Sequence, residues 1–378
     1  MSAGTLRPVR TLVISDLHLG ASTRADLLRR PELRVPLIEA VRGVDRVVIL
    51  GDGLELRDGP QRDAVAIAGP LYEDLGRALG PDGEIVLMAG NHDHGLVAGW
   101  IDGRLLTEPS GFLGLEQRIE PRDTGPLAAA LAERAAPARV QVAYPGVWLR
   151  DDVFAIHGHY SDLHTTVPTF ERLAVGAMAR WVVRLPPDGA RPDDYEAALA
   201  PLYAWMHALT QRNEHSLVSA GTAASARAWV AMGGRGARRR PVRTALLNAG
   251  FRAAVAGVNA VGLGPVEPDL SGEGLRRGYL RGIAEVLRRL HIDAPHVIWG
   301  HSHRSGPWPR DDLAEWTTHA GGRILNTGSW VYQPHFLSEE PNRSPYWPGT
   351  AVVIEESGPP ELVRLLGDRG HAELRHPG

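Results

Sequence analysis

The sequence predicts an α/β domain interrupted by a long helical insertion, and three observations carry that prediction. Apolar runs of strand length recur three times in the first ninety residues, each ending in glycine and polar side chains: "TLVISDLHLG", "DRVVILGDG" and "EIVLMAGNHD". Helical patterns stand between them, as parallel strands with helical crossovers require. From about Asp162 to Leu290 the pattern is almost wholly helical, and strand signals resume only at "HVIWGHSH".

The elements follow in order. The β-branched run 11–15 ends at "DLHLG" and precedes a helical stretch broken by proline, "ADLLRRPELRVPLIEAVRG". The strand within 45–53 is followed by the helix "LYEDLGRALG", which Gly80 stops. The third strand leads into Asn91, His92 and Asp93. Residues 146–160 read as a hairpin whose second arm ends on His157. Helices are expected over 168–185, 192–212, 225–233, 242–262 and 272–290, the last N-capped by Ser271. A loop rich in arginine, "GGRGARRRPVR" (233–243), stands between the third and fourth of these. Strands return at 296–303, 323–330, 349–356 and 361–366, and the tail 367–378 is expected to fray. The domain organisation expected is thus a core over 1–160 and 291–366 with a helical lid or cap over 161–290.

Composition removes several kinds of chemistry. All 41 basic residues are arginine, so a lysine nucleophile, a Schiff base and a P-loop lysine are excluded. With no cysteine there is no disulfide, thiolate catalysis or cysteine metal site. The net charge of −3 gives no general attraction to nucleic acid or an anionic surface, and nucleic acid is not the expected partner. No transmembrane or signal segment is read from the sequence, and the expected location is cytoplasmic.

The strand tips are chemically uniform. Asp16 and His18, Asp52, Asn91 and His92, His157, and His301 and His303 all follow apolar strands, most beside glycine. In open α/β sheets such tips converge at the carboxyl edge, where ligands bind. In "DLH" and "HSH" the side chains are two residues apart, so in an extended segment each pair can grip one ion. Imidazole, carboxylate and amide ligands without thiolate suit Mn, Fe, Zn or Co, and their number implies two divalent transition metal ions.

The series "DLH", "GD", "GNHD", "H", "GHSH" resembles the calcineurin-like metallophosphoesterase superfamily, over about 1–160 and 291–356. The resemblance implies two mixed β-sheets sandwiched between helices. It implies that Asp16, His18 and His303 hold one metal, that Asn91, His157 and His301 hold the other, and that Asp52 bridges them. His92 then faces the phosphate as catalytic acid, with Asp93 orienting it. The implied activity is hydrolysis of a phosphodiester or pyrophosphate by a metal-bridging hydroxide, with a phosphomonoesterase and a non-catalytic scaffold as the alternatives.

The substrate expected is a phosphorylated small molecule, nucleotide- or lipid-linked among the options. Arg304, next to "GHSH", is the candidate substrate contact, and Glu55 in "GDGLE" is read as a helix start or a support for Asp52. "GDGLELRDG" lacks the arginine pattern of the Ser/Thr protein phosphatases. "SDLHLG" and "GHSHR" look like the UDP-diacylglucosamine hydrolase branch, but that branch carries arginine where this chain has His92, so its substrate is not transferred.

Overall fold

A computed structural model describes residues 9–107, 111–211 and 241–376. The chain forms two compact units: one runs to Gly158 and resumes at Asp293, and the other spans His159–Ile292. The helix expected at 225–233 and most of the arginine-rich loop lie outside the described residues.

The first unit is built on strands β1 (Thr11–Ile14), β2 (Arg46–Leu50), β3 (Glu84–Met88), β4 (Glu116–Ile119), β5 (Arg139–Arg150), β6 (Val153–Ile156), β7 (His296–Trp299), β8 (Arg323–Asn326), β9 (Thr350–Ile354) and β10 (Glu361–Arg364). They hydrogen-bond in the order β10-β9-β1-β2-β3-β5-β6-β7-β8, with β4 on β5. β1, β2, β3 and β5 are parallel, and β9 runs antiparallel to β1. The long β5 belongs to both layers: its first half pairs with β3, and from Gly146 its second half pairs antiparallel with β6. β6, β7 and β8 then continue in parallel. The mixed sheets of the α/β expectation are therefore present and share one continuous strand.

Strand alternation explains the layers. Leu12, Ile14, Val47, Ile49, Ile85 and Leu87 point to one face, where they meet α1 (Pro31–Val41), α2 (Gln61–Leu79) and a helix further along the chain, Pro126–Arg134. The intervening Val13, Val48, Leu50, Val86 and Met88 point to the other face and pack against Val147, Val153, Ala155 and Ile298 of the second layer. Both faces of the parallel strands are covered, so their sequences are continuously apolar.

The sequence reading missed β4 and the first half of β5, where Pro145 breaks the apolar pattern. A proline has no amide to donate, and Gly146 instead donates to the Leu115 carbonyl at this point. The tail also differs from expectation. Its short helix His371–Leu374 is docked, with Leu374 buried and Arg30 Nη1 donating to the Arg375 carbonyl at 3.1 Å. His371 is held between Tyr332 and the Ser338 carbonyl.

The second unit is helical. Adding the short helix Ala98–Thr107 and the turn Pro121–Thr124 as α3 and α4, and Pro126–Arg134 as α5, its helices are α6 (Phe170–Trp181), α7 (Pro192–Gln211), α8 (Pro241–Ala260) and α9 (Gly272–Arg289). The Ser271 side chain caps α9 by accepting from the Gly274 amide at 3.0 Å. No described helix is long and apolar enough to cross a membrane.

Candidate metal centre

Asp16, His18, Asp52, Asn91, His157, His301 and His303 meet beyond the carboxyl ends of β1, β2, β3, β6 and β7. Five of them are not presented by extended backbone. Asp16, His18, Asp52, His301 and His303 have φ of 54°, 46°, 51°, 67° and 57°, in the left-handed region that side chains other than glycine avoid. Five such residues in one place is stored strain of the kind that clusters at functional sites. The surrounding contacts hold it: the Leu17 and His18 amides both donate to the Asp52 carbonyl at 2.9 Å, and Asn326 Nδ2 donates to the Gly300 carbonyl at 2.7 Å. The turn "NTGSW" thus braces the "GHSH" turn.

The side chains fall into two groups. In the first, His303 Nε2 lies 3.1 Å from His18 Nε2 and 3.4 Å from Asp16 Oδ1. In the second, Asn91 Oδ1 lies 3.1 Å from His301 Nδ1 and 3.3 Å from His157 Nε2. Asp52 Oδ2 is shared between them, 3.3 Å from His157 Nε2 and 3.8 Å from His18 Nε2. The "DLH" pair stays together, whereas the "HSH" pair divides between the groups. Spacing of two residues in an extended segment predicts one ion for each pair, which holds for Asp16 and His18 and not for His301 and His303.

These residues fit a bound cation. Among the described residues Asp16 Oδ1 is buried without a hydrogen-bond donor, and two imidazole nitrogens face each other at 3.1 Å, an arrangement that needs a proton or a metal ion between them. The donor set is nitrogen and oxygen only, as borderline divalent ions prefer. Close approach also dictates the neighbouring glycines. A Cβ on Gly90 would collide with Asp52 Oδ1 and His157 Nε2, and one on Gly300 with Ser15 Oγ and Asp16 Oδ2.

In the metal-free chain, protons take the cation's place. Burial alone would depress the His18 imidazole, but the hydrogen bond to Glu55 and the charges of Asp52, Glu55 and Asp16 raise it to about 9. Burial is likewise outweighed at His157, which Asp52 raises to about 10. His303, lowered chiefly by burial, is left as the neutral acceptor. Asp52 lies well below the usual carboxylate range: burial opposes this, and the histidines around it prevail.

The linkage has a definite sign. The two raised histidines stabilise the fold fully below their ordinary value of 6.5, and that contribution is lost as pH rises through about 9 and about 10. The depressed Asp52 contributes above the ordinary carboxylate range and loses its contribution as pH falls through that range. The melting temperature in chelator is therefore expected to fall between pH 6.5 and pH 9. Divalent ion affinity is expected to rise over the same interval, because binding must release those protons. Thermal melts with chelator and with Mn²⁺ check both; a chelated protein that gains stability on going to pH 9 would contradict the assignment.

His92 stands outside both ligand groups. Its amide donates to Asp52 Oδ1 at 2.8 Å, and its ring lies edge-on to His18 with centroids 4.5 Å apart. Asp93 does not orient it, contrary to expectation. The Asp93 carboxylate accepts from the amides of Gly90 (2.7 Å), Asp52 (3.1 Å) and Leu54 (3.1 Å), so it fixes the loops. Burial and then the Asp52 charge push Asp93 up to about 6, against those amide hydrogen bonds. The carboxylate on His92 is Glu55, whose Oε2 lies 2.7 Å from His92 Nδ1 and 3.1 Å from His18 Nδ1. Glu55 starts no helix, since α2 begins at Gln61. The only signal for it in the sequence was an acidic residue three positions after Asp52.

Arg304, the candidate substrate contact, is paired within the protein. Its guanidinium forms a two-pronged pair with Asp311 at 2.9 and 2.7 Å, both side chains buried, and lies 5.5 Å from the Trp316 ring centroid. Removing one member of a buried pair leaves an uncompensated charge and costs about 3–5 kcal/mol. Arg304→Ala is therefore expected to lose about that much unfolding free energy, while KM stays unchanged; a raised KM with unaltered stability would restore the substrate contact. His94 packs edge-on to Tyr144, and His159 packs beside Tyr160 and Tyr203 in the helical unit.

The family described as calcineurin-like phosphoesterase matches over residues 9–212, more than half of the chain. No curated protein matches. Among solved structures, the cold-active protein-tyrosine phosphatase of the psychrophile Shewanella sp. is similar at 13% identity, over 96% of this chain and 83% of that one. The TM-score is 0.29, too low to bear on fold or function.

Proposed function

The chain belongs to the calcineurin-like phosphoesterase family, and from that premise we propose that it is a dinuclear metal-dependent hydrolase of phosphodiesters or pyrophosphates. The observation that carries this reading is the Asp52 carboxylate, whose Oδ2 is within 3.8 Å of one ligand group and 3.3 Å of the other. Asp16, His18 and His303 would hold one ion and Asn91, His157 and His301 the other, with Asp52 common to both. When bound, such a pair supplies an activated water and neutralises charge on the phosphoryl oxygens.

The protein's own groups supply the remainder. Glu55 fixes the His92 ring through Nδ1 and so leaves Nε2 to carry a proton toward the leaving oxygen. A substrate with a poor leaving group gains most from that proton. Asp93 ties the loops of β2 and β3 together through three backbone amides. The left-handed turns set the ligand side chains in place ahead of substrate.

The test is hydrolysis of bis-p-nitrophenyl phosphate and p-nitrophenyl phosphate by chelator-stripped protein titrated with Mn²⁺. The expected result is release from the diester that saturates at two ions per chain. Release from the monoester alone would replace the reading with a phosphomonoesterase, and silence on both with two ions bound would leave the scaffold reading.

A further inference from the structure

Asp16 presents its two carboxylate oxygens to different surroundings. Oδ1 faces the imidazoles, 3.4 Å from His303 Nε2 and 4.0 Å from His18 Nε2, and no backbone amide or hydroxyl among the described residues donates to it. Oδ2 accepts from the His301 amide at 3.0 Å and from the Ser15 hydroxyl. Ser15 Oγ lies in turn 2.6 Å from Thr327 Oγ1. Neither hydroxyl belongs to a ligand group, yet both are interior, Ser15 at 1% and Thr327 at 0% exposure. The direction of their protons follows from the acceptors. A carboxylate oxygen has no proton to give, so Ser15 donates to Asp16 Oδ2; its alternative, the Gly328 carbonyl, is farther at 3.4 Å. Ser15 Oγ then accepts from Thr327, whose other acceptor, the Trp299 carbonyl, is at 3.3 Å. The chain runs one way, Thr327 to Ser15 to Asp16, and each hydrogen bond polarises the next.

Ser15 follows β1 and Thr327 follows β8, strands that are not neighbours in the sheet order, so the pair ties two distant strand ends to one carboxylate. Gly300 leaves the space for it, since a Cβ there would meet both Ser15 Oγ and Asp16 Oδ2. We infer that Ser15 and Thr327 are positioning residues for the first ion. By engaging Oδ2 they fix the rotation of the Asp16 carboxylate and reserve Oδ1 for the cation held with His18 and His303. The inference rests on the two ligand groups of the reading above. Without the Ser15 hydroxyl, the His301 amide is the one donor left on Oδ2 among the described residues, and the carboxylate can turn. Partners that orient a metal-ligating carboxylate are worth about 10–100-fold in metal affinity.

The test is equilibrium dialysis of the chelator-stripped full chain against Mn²⁺, with a melting curve in chelator to show that each variant folds. The parent is expected to bind two ions. Ser15→Ala is expected to keep one at parental affinity and to bind the other about 10–100-fold more weakly. Thr327→Val leaves the Ser15 proton in place and should weaken the same ion by a smaller factor; it carries the test if Ser15→Ala does not fold. In an Asn91→Ala background, which breaks the other ligand group, the ion that remains should be the one that Ser15→Ala weakens. Equal weakening of both ions would reduce the hydroxyls to general support of the fold and overturn the inference. Parental affinity for both ions in the variants that fold overturns it too, in each case with the dinuclear reading intact. A parent that binds a single ion removes the dinuclear reading, and the inference then stands or falls on whether Ser15→Ala weakens that ion. A parent that binds none overturns both.

Discussion

Asp52→Asn is expected to empty the metal centre and abolish hydrolysis in one step. Asp52 is buried and its two oxygens do different work: Oδ1 accepts from the His92 amide at 2.8 Å, and Oδ2 faces both ligand groups. Asparagine preserves the shape but removes the negative charge that draws cations into a cluster of imidazoles. Groups that merely support a metal ligand are worth about 10–100-fold in metal affinity, so losing a shared ligand should exceed that for both ions. The measurement is metal content after dialysis together with turnover on bis-p-nitrophenyl phosphate. Two ions retained at parental affinity would sink the shared-ligand role.

His92→Ala separates chemistry from metal loading. The ring belongs to neither ligand group, so two ions should still bind, while turnover falls by about 10²–10⁴-fold, the usual worth of a general acid. The loss should be largest on substrates with poor leaving groups, and an equal loss on good and poor leaving groups would remove the acid role. Glu55→Gln is the companion variant. It keeps a hydrogen-bond acceptor for one histidine but removes the charge that burial opposes and that His92 and His18 hold below the usual carboxylate range. Turnover is expected to drop with a displaced basic limb in the pH profile; a profile identical to the parent's would reduce Glu55 to packing.

Most of the site was legible because its chemistry is written in side-chain type beside strand ends. Seven polar residues that all follow apolar runs, several with glycine, have few reasons to coexist other than a shared ligand. The partners of those residues were not legible. Glu55 and Asp93 are both acidic, one three residues after Asp52 and the other next to His92, and which one reaches the ring depends on loop geometry. Asp93 is turned inward by three amides, leaving Glu55 to the imidazole. Arg304 is likewise decided by a residue seven positions on, Asp311, that no local pattern connects to it. In the fold, parallel strands buried on both faces announced themselves as apolar runs. β4 and the first half of β5 are short, mixed in polarity and interrupted by Pro145, so pairing rather than pattern makes them strands.

The parallel pair β6 and β7 is formed by segments that flank the entire helical unit, with Ile156 opposite Trp299 and the Gly300 amide on the His157 carbonyl. The chain therefore departs and returns at adjacent points, and the registration of the two strands is set by their own hydrogen bonds. Such a junction is modular: a helical unit of another length or sequence can be spliced in there without shifting the strands that present His157, His301 and His303. Changes of length or sequence in that unit can thus accumulate while the strand ends that carry the ligand set are inherited unchanged.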